Sequence, residues 1–94
     1  MSVDELIEAI GKHTGPLAAI SLSASRMNYR TLAAHLQLFI DNQQNISGAW
    51  NGKDDAYSFR GQLYYEEDAH RADDLVKLAQ PLLKELRELI NDNA

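Results

Sequence analysis

The sequence predicts a mainly α-helical domain with one small β-hairpin and a long C-terminal helix. Between residues 67 and 91, apolar residues recur at alternating spacings of three and four, which is the seam of a coiled-coil helix. The dipeptide Asn51-Gly52 strongly favours a type I′ hairpin turn, because that turn needs a positive φ at both positions. Residues 57–65 alternate between apolar and polar side chains, which is the period of a strand.

The composition limits the possible classes of protein. The chain has 94 residues, of which 45% are hydrophobic and 24% charged, as in one ordinary globular domain. It has no cysteine, which excludes disulfides, thiolate metal sites and thiol nucleophiles. No apolar run approaches the ~20 residues that span a bilayer, and no basic leader opens the sequence. We therefore expect a cytoplasmic protein without a membrane partner.

The charges are unevenly distributed along the chain. The net charge is −5, yet residues 9–40 contain no Asp or Glu, and most acids follow Lys53. The charged residues inside that run are Lys12, Arg26 and Arg30, and His13 and His35 accompany them. A segment without negative charge in an acidic protein is typical of a surface that faces a polyanion.

The first predicted helix covers about residues 3–12. Ser2 and Glu5 have the spacing of a capping box, and Leu6, Ile7 and Ile10 form an apolar stripe.

Two interpretations remain open for residues 16–46. One is a single long helix that begins near Pro16. The other is a pair of helices with a turn around residues 23–25, in which Ser25 caps the second helix. In the second interpretation, Ala19 supplies the small residue where the helices cross, and Leu22 and Leu32 supply apolar contacts that fix their angle.

A β-hairpin is predicted next, with strands at roughly 46–50 and 56–64. Asn51-Gly52 forms the turn in this prediction, and Gly61 forms a bulge in the second strand.

The last predicted helix covers about residues 67–91. Pro81 cannot donate a helical hydrogen bond, so we expect a kink or a break near residues 78–80. The apolar stripe is broader than a small domain is expected to cover by itself, which predicts a homodimer through this helix. The predicted interface consists of Ala72, Leu75, Ala79, Leu82, Leu86 and Leu89.

In this order of elements the chain resembles a winged helix-turn-helix protein of the ArsR/MarR-like kind. The resemblance is carried by GPLAAISLSASRMNYRTLAAHLQLFI and by AWNGKDDAYSF. It implies a dimeric DNA-binding transcriptional regulator with a recognition helix at about 25–43 and a wing at about 46–64. Residues 1–65 would form the winged part and residues 66–94 the dimerisation helix, within one compact domain. The implied contacts to double-stranded DNA are Arg26, Asn28, Tyr29, Arg30, Thr31, His35, Lys53 and Arg60.

A second resemblance rests on Trp50-Asn51-Gly52, which is similar to the motif of the WXG family of small helical-hairpin proteins. It implies helices at about 16–46 and 54–91 that dimerise into a four-helix bundle. The function would then be that of a non-enzymatic protein-interaction module. An acidic immunity- or antitoxin-type inhibitor belongs to the same alternative class. This alternative predicts almost no strand.

No pattern in the sequence indicates an enzyme. No nucleophile–base pair stands out, and there is no glycine-rich phosphate loop. We therefore expect neither catalytic residues nor a metal or other cofactor.

Overall fold

The computed structural model describes residues 3–14, 22–23 and 28–92, and that part of the chain contains three long helices, the helical residues Leu22 and Ser23, and one antiparallel hairpin. The elements are α1 (Val3–Thr14), α2 (Tyr29–Gly48), β1 (Ala56–Phe59), β2 (Gln62–Tyr65) and α3 (Glu66–Asp92). The predicted class, mainly α with a small β-hairpin and a long C-terminal helix, is confirmed. No helix among these residues combines the length and apolar character needed to cross a membrane.

One hydrophobic core joins the three helices. α3 packs against both α1 and α2, and the helical period of each element turns most of its leucines and isoleucines inwards. The largest fully buried side chains are Leu6, Ile10, Leu32, Leu36, Ile40 and Leu75. Leu22 is also buried in this core. Arg87 of α3 donates a hydrogen bond to Gln37 near the middle of α2, and Trp50 beyond the end of α2 contacts His70 near the start of α3. α2 and α3 are therefore antiparallel.

The region 16–46 is not a single helix. Leu22 and Ser23 are helical, but Asn28 is extended, with φ −120° and ψ 101°, and α2 begins only after it. The prediction that Ser25 caps the second helix was wrong, because Asn28 occupies that position. Ser25 itself lies outside the described residues, as do Ala19 and the predicted cap Ser2. The helix at 16–46 in the helical-hairpin alternative is likewise not observed.

The hairpin exists, but its predicted turn and first strand were wrong. Residues 46–48 end α2 instead of forming a strand, and the two-residue turn is Arg60-Gly61. These two residues have φ of 52° and 76°, as a type I′ turn requires. Gly61 is therefore part of the turn and not a bulge. The alternation in residues 57–65 belongs to both strands, which also excludes the alternative's helix at 54–91.

Asn51-Gly52 instead shapes the connection between α2 and β1. The Asn51 Oδ1 accepts the backbone N–H groups of Lys53 and Asp54, at 2.9 and 3.0 Å. Gly52 has a φ of 83°. The Asn side chain thus imitates a backbone turn, a role for which Asn is also selected.

The turn glycine provides a direct stability test. Gly61→Ala is expected to lower the free energy of unfolding by about 1–2 kcal/mol, because an L-residue is strained at this φ. A Cβ at Gly61 would meet no atom within 4 Å, so only backbone strain acts. Gly48→Ala is the matched control, since Gly48 is equally open but lies at the end of α2 without a positive φ. Urea unfolding should separate the two variants, and equal effects would contradict the assigned turn.

α3 runs from Glu66 to Asp92, in agreement with the helix predicted at about 67–91. The break expected near Pro81 is absent, because the helix continues through the proline. Ala79, Leu82 and Leu83 are all buried in the core. Their packing on both sides of Pro81 offsets the hydrogen bond that proline cannot donate.

The hairpin is attached to the end of α2 by a tyrosine. The Tyr57 hydroxyl donates a 2.9 Å hydrogen bond to the backbone oxygen of Ile46, and its ring stacks on Tyr64. Burial raises the pKa of Tyr57 above its ordinary value of 10.0, and the negative charge of Asp68 adds to the effect. The neutral hydroxyl is therefore favoured in the folded state.

Tyr57→Phe is expected to lower the stability by about 1 kcal/mol at neutral pH, because the hydrogen bond is lost. A raised pKa in the folded state means that this stabilisation is complete below pH 10 and is lost as the pH rises through the raised pKa. Unfolding measured from neutral to alkaline pH should show this loss in the wild type. A phenylalanine variant with the same alkaline decline would contradict the role of Tyr57.

Candidate nucleic-acid interface

The first turn of α2 is fixed by Asn28. The Asn28 Oδ1 accepts the backbone N–H of Thr31 at 3.2 Å, and the Asn28 backbone oxygen accepts that of Leu32 at 2.8 Å. The extended backbone of Asn28 and this side-chain bond together form a helix N-cap.

The same turn presents its polar side chains to solvent. Asn28, Tyr29, Arg30 and Thr31 are all exposed, because the buried face of α2 begins at Leu32. The first turn contains no acidic residue. The partial positive charge of a helix N-terminus and the Arg30 guanidinium therefore act in the same direction and favour an anion.

Not all of the predicted DNA contacts present their side chains to a duplex at this end of α2. An asparagine reads adenine through a bidentate contact that requires its Oδ1, and the Oδ1 of Asn28 is already engaged in the cap. The structure instead gives Asn28 a positioning role. His35 lies one turn further along, is half-buried and already interacts with another group. Arg26 lies outside the described residues.

Lys53 and Arg60 lie beyond the opposite end of α2. The helix is roughly 30 Å long, Arg30 lies in its first turn, and the hairpin is attached through Tyr57 to Ile46 in its last turn. Lys53 and Arg60 are exposed, and Lys53 is followed directly by Asp54 and Asp55. The Arg60 guanidinium lies 4.9 Å from the centre of the Phe59 ring at the tip of the hairpin. The seven predicted DNA contacts that the structure describes therefore lie towards both ends of α2 and do not form one continuous patch.

The helices α1 and α2 of the same chain cover most of the predicted dimer interface on α3. Ala72, Leu75, Ala79, Leu82 and Leu86 are all buried against the core that α3 shares with α1 and α2. Leu89 alone among the six is substantially exposed, at 43%. The reason for expecting a second copy on this surface therefore does not hold, because the domain covers the stripe by itself.

Several exposed apolar residues could not be found from periodicity. Leu38 is 67% exposed on α2, and Leu63 and Tyr65 are 63% and 53% exposed on β2. The positions of Leu63 and Tyr65 in the alternating run marked them as inward-facing. Their exposure follows from the turn at Arg60-Gly61, which aligns Tyr57 and Phe59 with Gln62 and Tyr64 on the other face.

The acidic side of the molecule lies on α3. Glu66 contacts His70, with 3.5 Å between Oε1 and Nε2, and Lys77 pairs with Asp73 at 2.9 Å. The hydrogen bond to Asp73 raises the pKa of Lys77. In the described part of the chain, no cluster of three or more His, Asp or Glu side chains is arranged to hold a metal ion.

Comparison with known proteins provides no family for this chain. Neither a protein-family model, nor a curated protein, nor a solved structure matches it.

Proposed function

We propose that the protein binds double-stranded DNA through the first turn of α2, as a transcriptional regulator does. The observation that carries the proposal is the exposed, acid-free turn formed by Tyr29, Arg30 and Thr31, at the start of a capped helix. Helix-turn-helix proteins place the N-terminal residues of a recognition helix against base edges in the major groove.

Each of the three side chains suits a different part of a duplex. Arg30 can donate two hydrogen bonds to a guanine edge, which is a common specific contact. The hydroxyls of Tyr29 and Thr31 can donate to phosphate oxygens and so fix the position of the helix. The backbone of this turn is held by the Asn28 cap, which lowers the entropic cost of ordering it on binding.

The distribution of charge favours one mode of approach. The acid-free run ends at Ile40, and Asp41 lies in the second half of α2. The many carboxylates of α3 would repel the phosphates of DNA, so the duplex would not lie along the whole length of the molecule. DNA is therefore expected to meet the N-terminal end of α2.

Selection from random duplex DNA across a salt series tests this function. The proposal predicts recovery of a defined sequence and an affinity that falls steeply as salt increases, because bound cations release counterions from the duplex. A two-fold symmetric site would indicate that two copies bind together. Absence of retention even at low salt would overturn the proposal.

A helical protein-interaction module is the second candidate function. The observation that favours it is Leu38, which is 67% exposed in the middle of α2. An exposed leucine on a helix is a suitable anchor for a groove in another protein. If DNA is not retained, capture of a partner by the wild type but not by Leu38→Lys would support this function.

A further inference from the structure

The loop between α2 and β1 contains an asparagine that is followed directly by a glycine. Asn51 and Gly52 are both exposed, and a Cβ at Gly52 would meet no atom within 4 Å, so this side of the loop is open. In the part of the chain that the structure describes, no group accepts the Gly52 N–H. Because glycine has no side chain, its nitrogen is free to approach the side-chain amide of Asn51.

The side-chain amide of Asn51 is held with its oxygen between two donors. Oδ1 accepts the backbone N–H groups of Lys53 and Asp54 at 2.9 and 3.0 Å. An attack on Cγ places negative charge on Oδ1, and two N–H groups at these distances stabilise that charge, as in an oxyanion hole. Nδ2 donates to the Asp54 Oδ2 at 2.8 Å, which keeps the amide in one orientation. The folded loop therefore activates the amide carbon towards a nucleophile.

We propose that Asn51 is a modification site at which the folded chain converts its own side-chain amide to a carboxylate, with water as the only co-reactant. The Gly52 nitrogen loses its proton and forms a bond to the Asn51 Cγ, which closes a succinimide ring. The Cγ–Nδ2 bond breaks, and Nδ2 takes up a proton and leaves as ammonia. Water then adds to one of the ring carbonyl carbons next to the nitrogen and opens the ring. Addition at Cγ yields aspartate, and addition at the backbone carbonyl carbon yields isoaspartate.

The other asparagines that the structure describes lack this combination. Asn42 and Asn45 lie inside α2, where the N–H of the following residue belongs to the helical hydrogen-bond ladder. Asn28 and Asn91 are each followed by a residue with a side chain, which hinders approach of the backbone nitrogen. Asn51 is therefore expected to react before any of these four.

The conversion changes the contacts of the loop. The product loses the Nδ2 donor and places a second carboxylate beside that of Asp54, and like charges at such a distance repel each other. The Asp54 backbone oxygen accepts the Trp50 Nε1–H at 2.8 Å, so Asp54 connects the modified side chain to the indole. Trp50 is the single tryptophan of the chain, and its fluorescence is expected to change in step with the conversion. Unchanged emission from fully converted protein would contradict this connection.

Incubation of the folded protein at mildly alkaline pH, followed by peptide mass spectrometry, tests the modification. The product is identified by its gain in mass, and isoaspartate by fragmentation of the main chain. Conversion at Asn51 should be faster than at Asn45 by about tenfold or more, which corresponds to a barrier lower by at least about 1.4 kcal/mol. Gly52→Ala should slow the conversion, because a side chain then hinders the nitrogen. Asn51→Gln should show no comparable conversion, because its longer side chain closes a larger ring.

The same incubation in guanidinium chloride separates an effect of the fold from an effect of the dipeptide. The folded protein is expected to convert at least as fast as the unfolded chain, because the two donors to Oδ1 are in place only in the fold. Slower conversion of the folded protein, equal rates at Asn51 and Asn45, or undiminished conversion of Gly52→Ala would each overturn the proposal. DNA is absent from these measurements, so their failure would leave the proposed DNA binding unaffected.

Discussion

Replacing Leu36 by alanine is expected to lower the free energy of unfolding by about 2–5 kcal/mol. Leu36 is fully buried, at 0% exposure, in the core that joins α2 to α3. The substitution removes three buried carbon atoms and leaves a cavity that the surrounding leucines fill only in part. Domains of this size have total stabilities of about 5–15 kcal/mol, so this substitution would remove a substantial part of the total.

Leu38→Ala is the matched control for this prediction. It makes the same chemical change two residues further along the same helix, but Leu38 is 67% exposed. Its effect is expected to stay within about 0.5 kcal/mol, as for most surface substitutions. Urea unfolding followed by circular dichroism would measure both variants. Similar losses at the two positions would contradict the assignment of the inward and outward faces of α2.

Arg30→Ala is expected to weaken specific DNA binding by about 1–3 kcal/mol, because one bidentate contact to a base would be lost. Arg30 is exposed at the start of α2, so the stability of the fold should change little. Binding would be measured on the selected duplex and on an unrelated duplex of the same length. A loss confined to the selected sequence identifies a base contact, whereas an equal loss on both identifies a phosphate contact.

Lys77→Ala controls for the change in net charge. Lys77 lies on α3, paired with Asp73 and surrounded by acids, where we expect no contact with DNA. Each variant loses one positive charge, so a difference between their affinities for DNA shows which of the two positions contacts the duplex. Undiminished binding by Arg30→Ala would remove Arg30 from the interface.

The helices could be predicted from the sequence because their apolar periods are long. Leu6 and Ile10 define α1, and the seam from Ala72 to Leu86 defines α3, within two residues at each end of either helix. Such stripes specify a helix whatever covers them. They do not specify the partner, and for this reason the seam of α3 was assigned to a second copy although α1 and α2 cover it.

The hairpin shows that a two-residue turn motif does not by itself determine where a hairpin forms. Asn51-Gly52 and Arg60-Gly61 both provide a glycine where a positive φ is needed, and Asn is the better turn former of the two preceding residues. Tertiary contacts decide between them. The hydrogen bonds of Asn51 to the loop and of Tyr57 to Ile46 hold the first dipeptide outside the sheet.

The candidate site was only partly predictable for a related reason. Tyr29, Arg30 and Thr31 belong to the acid-free run, and the structure places them together in one exposed turn, but the DNA contact itself stays a prediction. The cap at Asn28 was missed because Ser25 has an equally good capping side chain. Lys53 and Arg60 follow the C-terminal end of α2, whereas Arg30 lies in its first turn. This separation depends on where α2 begins and ends, and the sequence left two interpretations of that region open.

Mapping of DNA contacts by nuclear magnetic resonance tests the central claim most directly. Isotope-labelled protein would be titrated with a short duplex at low salt, and the shift of every backbone amide signal would be followed. DNA binding through the first turn of α2 predicts that the largest changes occur at Tyr29, Arg30 and Thr31 and disappear as salt is added. Unchanged signals at these residues, or changes centred on α3, would contradict it.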